Sequence, residues 1–185
     1  MNRFLPVATR RLILAIAGIV SVSFPQQVFA QSVEAKVKTA YIYSLLRGST
    51  WPPETHTDEH SPYKVVIVGA DDLGGLLDKV VEKKSIQQRK IVLERIGDMH
   101  SFHGAHLLYL PGAKREAVAA AAKATAGQPI LIVGEGANVT ACGAAIGFFM
   151  DDAGTLAVEV NPTAARARNL EIDDKVMTIG KKVGD

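Results

Sequence analysis

"VVIVGADDLGGLL", residues 65–77, passes from an apolar β-branched run through a glycine-bounded acidic loop into the start of a helical pattern. Strand, glycine loop and helix N-terminus are the parts of phosphate sites, because free backbone N–H groups and the helix dipole both attract anions. A loop of the G-x-x-x-x-G-K-[ST] type needs a lysine and a hydroxyl after its second glycine. Gly69 and Gly74 have that separation, but Gly75 and Leu76 stand in those two places. A dinucleotide loop needs G-x-G-x-x-G, and Ala70-Asp71 occupies the position where a glycine would let a pyrophosphate approach. The loop instead carries Asp71 and Asp72, so a carboxylate is expected to cap the exposed N–H groups of a helix that begins at Asp72. The stretch predicts a strand-to-helix turn whose anion site is filled by the protein's own charge.

Outward from this turn, short apolar runs alternate with helical patterns. Strands are expected over 63–68, 90–96, 105–110 and 129–133, with helices over 72–82 and 114–126. The runs show little polar alternation, as in strands covered on both faces. "AAIGFFMDDAGTLAVEV" (144–160) predicts a hairpin turning at Asp151-Asp152-Ala153-Gly154. Before the sheet, Val33, Val37, Ala40, Tyr41 and Leu45 recur at helical spacing, giving an amphipathic helix that ends near Gly48. "WPPETHTDEHSP" (51–62) reads as a loop, and "PTAARARNL" and "DDKVMTIGKKV" as closing helices. The fold class is α/β: a single domain with a small, mostly parallel sheet and an antiparallel C-terminal hairpin, flanked by helices.

The first thirty residues are read as a signal peptide and residues 31–185 as the folded domain. Arg3, Arg10 and Arg11 precede an uncharged apolar stretch from Leu12 to Phe24, and Val28-Phe29-Ala30 gives a small-residue exit with cleavage after Ala30. Thirteen apolar residues are short against the roughly 20 that span a bilayer. Arg10-Arg11 also resembles a twin-arginine signal, but paired basic residues are common in ordinary export signals, which favours the Sec route into the periplasm. Without those three arginines, 18 basic residues face 19 acidic ones, so no basic footprint for nucleic acid is left. Cys142 is the one cysteine; an intramolecular disulfide is excluded, and its small neighbours suit a buried thiol better than a bridge between two copies.

No catalytic constellation emerges, and no cofactor is expected. His100, His103 and His106 beside Asp98 would supply imidazoles for a hydrolytic zinc centre, but residues three apart share a face only on a helix, which Gly104 and the following strand oppose. His56 and His60 lie in the expected loop. No G-x-S-x-G elbow is present. Asp173-Asp174 precede an apolar-periodic stretch, where carboxylates cap a helix. Glu159, inside "LAVEVN", must point outward or be paired, and Trp51 covers the core or anchors an interface.

Several stretches, taken in order, resemble the YfiR-like periplasmic family. "KTAYIYSLLRGSTWP" (38–52) is similar without gaps to its opening K-A-A-F-L-Y-N-F-A-K-F-V-E-W-P. "GAHLLYLP" (104–111) is similar to its G-C-H-V-L-F-I strand, and "LAVEVNPTAARARNLEIDDKVMTIGKK" (156–182) to its closing segment. The resemblance implies a non-catalytic regulator, often a homodimer, that represses an inner-membrane diguanylate cyclase or other sensor protein by contacting its periplasmic part. It also implies an outer-membrane lipoprotein that releases the repression and with it cyclic-di-GMP synthesis and biofilm formation. By family position the implied partner contacts are Trp51, Glu159, Asn161 and Arg166. Ala105 stands where the family often has cysteine, and Phe149 where some relatives have a partner for the cysteine matching Cys142, so those disulfides are absent. The alternative is a periplasmic small-ligand sensor module feeding an uptake or sensor-kinase system, since open α/β sheets form a crevice at their strand ends.

Overall fold

The computed structural model describes residues 26–178 and 180–183. Most of the expected signal peptide therefore lies outside the described residues. The first helix, α1 (Gln26–Gly48), leads into β1 (Ser49–Thr50) and then β2 (Tyr63–Val68). There follow α2 (Leu76–Lys83), β3 (Ser85–Ile86), β4 (Arg89–Ile96), β5 (Leu107–Leu110), α3 (Arg115–Ala124) and β6 (Leu131–Glu135). The hairpin is β7 (Ile146–Met150) and β8 (Leu156–Val160), and the chain closes through α4 (Pro162–Arg166), β9 (Glu171–Ile172), α5 (Asp174–Met177) and β10 (Lys181–Lys182).

The main sheet has the order β10-β8-β7-β6-β5-β2-β4-β3. Strands β4, β2, β5, β6 and β7 are mutually parallel, while β7–β8 and β3–β4 are antiparallel. The central strands are buried on both faces, and the pleat divides their side chains. Val65, Ile67, Leu107, Tyr109, Leu131 and Val133 join one core with α1 residues Ile42, Leu45 and Leu46. Val66, Leu108, Leu110 and Ile132 join the other, under Val118 and Ala121 of α3. Two covered faces explain the lack of polar alternation in these runs.

Four details depart from what the sequence predicts. The helix after β2 begins at Leu76, because Gly74 and Gly75 hold left-handed backbone (φ +60° and +71°) that cannot continue a right-handed helix. Neither aspartate caps it: Asp71 Oδ1 instead accepts from the Leu73 N–H within the loop, at 3.0 Å.

The α1 face is also rotated. Ala35, Lys38, Thr39, Ile42, Leu45 and Leu46 point inward, whereas Val33, Val37 and Ala40, expected inside, are exposed. Of the expected face only Tyr41 and Leu45 are buried. The closing helix stops at Met177, and Lys181–Lys182 instead pair with β8 in parallel. Cys142, expected to be buried, is half-buried against the α3-side core.

Candidate functional site

The strand order reverses around β2: β4 lies on one side of it, and β5 followed by β6 on the other. In open α/β sheets the crevice beyond the carboxyl ends of strands at such a switch point is where ligands bind. Here α1 closes that crevice. Lys38, 2% exposed, threads its aliphatic stem along the inward face of α1 and delivers its ammonium to the strand ends. Its Nζ lies 2.6 Å from Glu34 Oε1, 2.9 Å from Asp72 Oδ2 and 2.7 Å from Glu135 Oε1. Glu34 is one helical turn earlier, Asp72 follows β2, and Glu135 ends β6.

The carboxylates have further partners. Tyr109 donates its hydroxyl to Glu135 Oε1, and the Gly112 N–H donates to Glu135 Oε2 at 2.9 Å. Burial pulls the Lys38 ammonium down, but its hydrogen bonds to Glu135, Glu34 and Asp72 outweigh that and hold it above the ordinary lysine value. Burial and the adjoining Glu135 raise the Tyr109 phenol. The other aspartate of the loop has a separate cation: Arg95 Nε donates to Asp71 Oδ2 at 2.7 Å, and its two terminal nitrogens grip Asp78 at 2.8 Å each. Each aspartate of the loop thus has a cation from within the chain, although Asp72 Oδ1 is buried without a hydrogen-bond partner among the described residues. A cavity of about 410 Å³ opens beside the cluster, lined by Glu34, Lys38, Lys114, Glu135 and the aromatic Phe148 and Phe149.

At the opposite end of the sheet, rings replace charges. Trp51, Tyr63, His56 and His106 are packed together, with His56 and His106 stacked at 4.7 Å between centroids and Trp51 set edgewise to Tyr63 at 5.6 Å. Trp51 Nε1 donates to the His106 carbonyl at 3.2 Å. The Lys64 N–H donates to His106 Nδ1 at 3.0 Å, which leaves the ring proton on Nε2, a buried atom without a hydrogen-bond partner among the described residues. Burial, reinforced by His56 and Arg89, pulls the His106 imidazole down to about 4.

The histidines considered as zinc ligands do not converge. His100 is almost fully exposed beside Asp98, while His106 is buried in the aromatic corner. Among the described residues no group of three His, Cys, Asp or Glu side chains could hold a metal.

The four expected contact residues fall into two pairs. Glu159 Oε2 accepts from Thr140 Oγ1 at 2.9 Å, and Asn161 Nδ2 donates to the Thr140 carbonyl at 3.4 Å while its Oδ1 caps α4 through the Ala164 N–H. Trp51 and Arg166 line a separate cleft of about 460 Å³. Trp51 is itself buried, and the exposed Arg166 donates to Thr163 Oγ1 at 3.1 Å.

The Lys38 cluster went unrecognised in the sequence. A lysine on the same helical face as Ile42 and Leu45, with glutamate one turn before it, was the available signal.

These features define an open, mostly parallel α/β domain whose switch-point crevice is closed by internal ion pairs. A family model described as YfiR/HmsC-like matches residues 35–181, and the chain belongs to that family. The family is regulatory and non-catalytic, and its members are periplasmic. A similar fold occurs in the crystal structure of a conserved domain protein from Vibrio cholerae O1 biovar El Tor str. N16961. It has a TM-score of 0.51 and 12% identity, covering 80% of this chain and 59% of that one. This chain therefore spans about three fifths of the length of that protein. No curated protein matches the sequence. No helix among the described residues is long and apolar enough to cross a membrane.

Proposed function

We propose that this chain is a non-enzymatic periplasmic repressor of a membrane-bound diguanylate cyclase. On this reading residues 1–30 direct export by the Sec route and are cleaved after Ala30, and the domain of residues 31–185 contacts the periplasmic part of the cyclase and so controls cyclic-di-GMP output and biofilm formation. An outer-membrane lipoprotein relieves the contact by sequestering the domain, which acts as a homodimer. Family membership supports the regulatory role. The observation that carries the non-enzymatic reading is the crevice itself: the place where this architecture usually holds a ligand is taken by Lys38 and its three carboxylates. Cyclic-di-GMP is then the output of the pathway and not a ligand of this domain.

The contact is proposed to run through Trp51, Glu159, Asn161 and Arg166. Arg166 is exposed and Glu159 half-buried, so charge reversal at either leaves the two cores intact. Glu159→Lys and Arg166→Glu should each raise cellular cyclic-di-GMP severalfold while the purified variants keep the parent melting temperature within a few degrees. Parental cyclic-di-GMP in both would remove this surface from the proposal. The cavity of about 410 Å³ beside Lys38 favours a second reading, a small-ligand sensor module. Ligand-dependent rises in melting temperature would support it over the repressor.

A further inference from the structure

The rotation of α1 leaves a surface that neither core uses. Val33 is 59% and Val37 42% exposed, and Ala40 follows them on the outward crest of the helix. Beside this crest, α1 and α2 enclose a groove of about 390 Å³ with Ala40, Leu76 and Val80 in its walls and Thr39 at its floor, so its surface is almost wholly carbon. Lys36, Lys79, Lys83 and Lys84 stand around it. None of these four lysines is in an ion pair among the described residues, whereas the nearby acids Glu34 and Asp72 are bound to Lys38 and Asp78 to Arg95. On α2, Leu76, Lys79, Val80 and Lys83 share one face, and Glu82 lies off it. The outcome is an apolar trough with a positive rim, on a chain whose mature portion carries slightly more acids than bases.

We propose that this groove is a docking site for an acidic amphipathic helix of a partner protein. Its apolar side chains, three and four residues apart, would enter the trough, and its carboxylates would meet the four lysines. Both walls are helices whose backbone groups are already bonded, so an extended strand would find no pairing edge there. A helix brings its own hydrogen bonds. A second copy of this chain is disfavoured because two-fold pairing of the groove would set lysine against lysine. A lipid surface is disfavoured because the groove's apolar residues, Ala40, Leu76 and Val80, lie between charged ones, with no Trp or Phe among them to enter a membrane interface. The proposal draws on the repressor reading only in taking a protein as the partner, and its test uses neither the cyclase nor cyclic-di-GMP.

The test is a titration of the purified mature protein, followed by amide chemical shifts, with an eighteen-residue helical peptide carrying Leu at i, i+3, i+4 and i+7 spacing and Glu elsewhere. The expected result is saturable binding with shifts centred on residues 36–40 and 76–84, weakened at least tenfold in Lys79→Glu/Lys83→Glu, and no binding of the same peptide with Lys replacing Glu. Shifts centred elsewhere, equal binding of both peptides, or an affinity that the double variant leaves unchanged would each overturn the proposal. So would preferential binding to phosphatidylglycerol vesicles, or sedimentation as a dimer that Val37→Glu dissociates. A failed titration would remove the groove and leave the repressor reading standing, since that reading is tested separately through Glu159→Lys and Arg166→Glu.

Discussion

The two ends of the parallel sheet are closed by opposite chemistry. At the carboxyl end a buried lysine gathers Glu34, Asp72 and Glu135 from a helix, a loop and a strand, with Tyr109 as a further donor. At the amino end Trp51, Tyr63, His56 and His106 fill the space with rings, and one imidazole is held neutral. A charge cluster depends on every member being present, because one deletion strands the others in a poorly solvated place. A ring cluster loses area in proportion to what is removed, but it cannot accommodate a proton. The ends should therefore fail under different provocations.

The largest expected effect is at the charged end. Lys38→Met keeps the aliphatic stem and leaves three carboxylates without their shared cation, so chemical denaturation at pH 7 should show a loss of about 3–5 kcal/mol. A loss below about 1 kcal/mol, the range of an exposed ion pair, would break the contrast.

The aromatic end should respond to acid. His106 is lowered from its ordinary 6.5 to about 4, so the unfolded chain binds more protons between those values. Its stabilisation is complete above pH 6.5 and is lost as pH falls toward 4, amounting to about 3 kcal/mol. In His106→Asn, whose amide oxygen can still accept from the Lys64 N–H, that part of the pH dependence should vanish. An unchanged slope of stability against pH would assign it elsewhere.

Trp51→Phe should cost less, about 1–2 kcal/mol by thermal or denaturant unfolding, because the His106 carbonyl it abandons still accepts from the Leu131 N–H at 2.8 Å. A loss above about 3 kcal/mol would mean that the indole supports more than the corner. The smallest effect belongs to Arg95→Ala, less than about 1 kcal/mol and diminishing with added salt, since the guanidinium is more than a third exposed. A loss near that of Lys38→Met would show that the outer ion pairs act as one network with the inner cluster.

What the sequence disclosed follows from the range of the forces involved. The Val65–Val66–Ile67 run announced a strand buried on both faces, and the acidic turn with Gly154 announced the hairpin, because period and turn chemistry are local. The missing lysine after Gly74 spoke against a phosphate loop, but the partners of the loop's aspartates lie at Lys38 and Arg95, 34 and 24 residues away, where no local pattern reaches. Face assignment on α1 failed for a related reason. The inward stripe includes Lys38 and Thr39, so hydropathy alone preferred the valines that face solvent. Two-residue strands such as β1, β3, β9 and β10 are too short to carry a period. Of the site, Trp51 and Glu159 were noticed by their chemistry, whereas Glu34 and Glu135 gained meaning only once the fold brought them to one ammonium.

One feature of the sheet bears on solubility. β3 pairs only with Arg89 and Lys90, so from Ile91 to Ile96 the outer edge of β4 has no strand partner among the described residues. A bare edge with Val92 exposed could template the addition of another chain. Glu94 and Arg95 interrupt that edge with charge, and Glu94 is fixed by Lys64 at 2.6 Å as Arg95 is by Asp71 and Asp78. Ion pairs with little expected weight in the unfolding free energy thus hold charged side chains along the open edge of β4, where charge opposes edge-to-edge pairing.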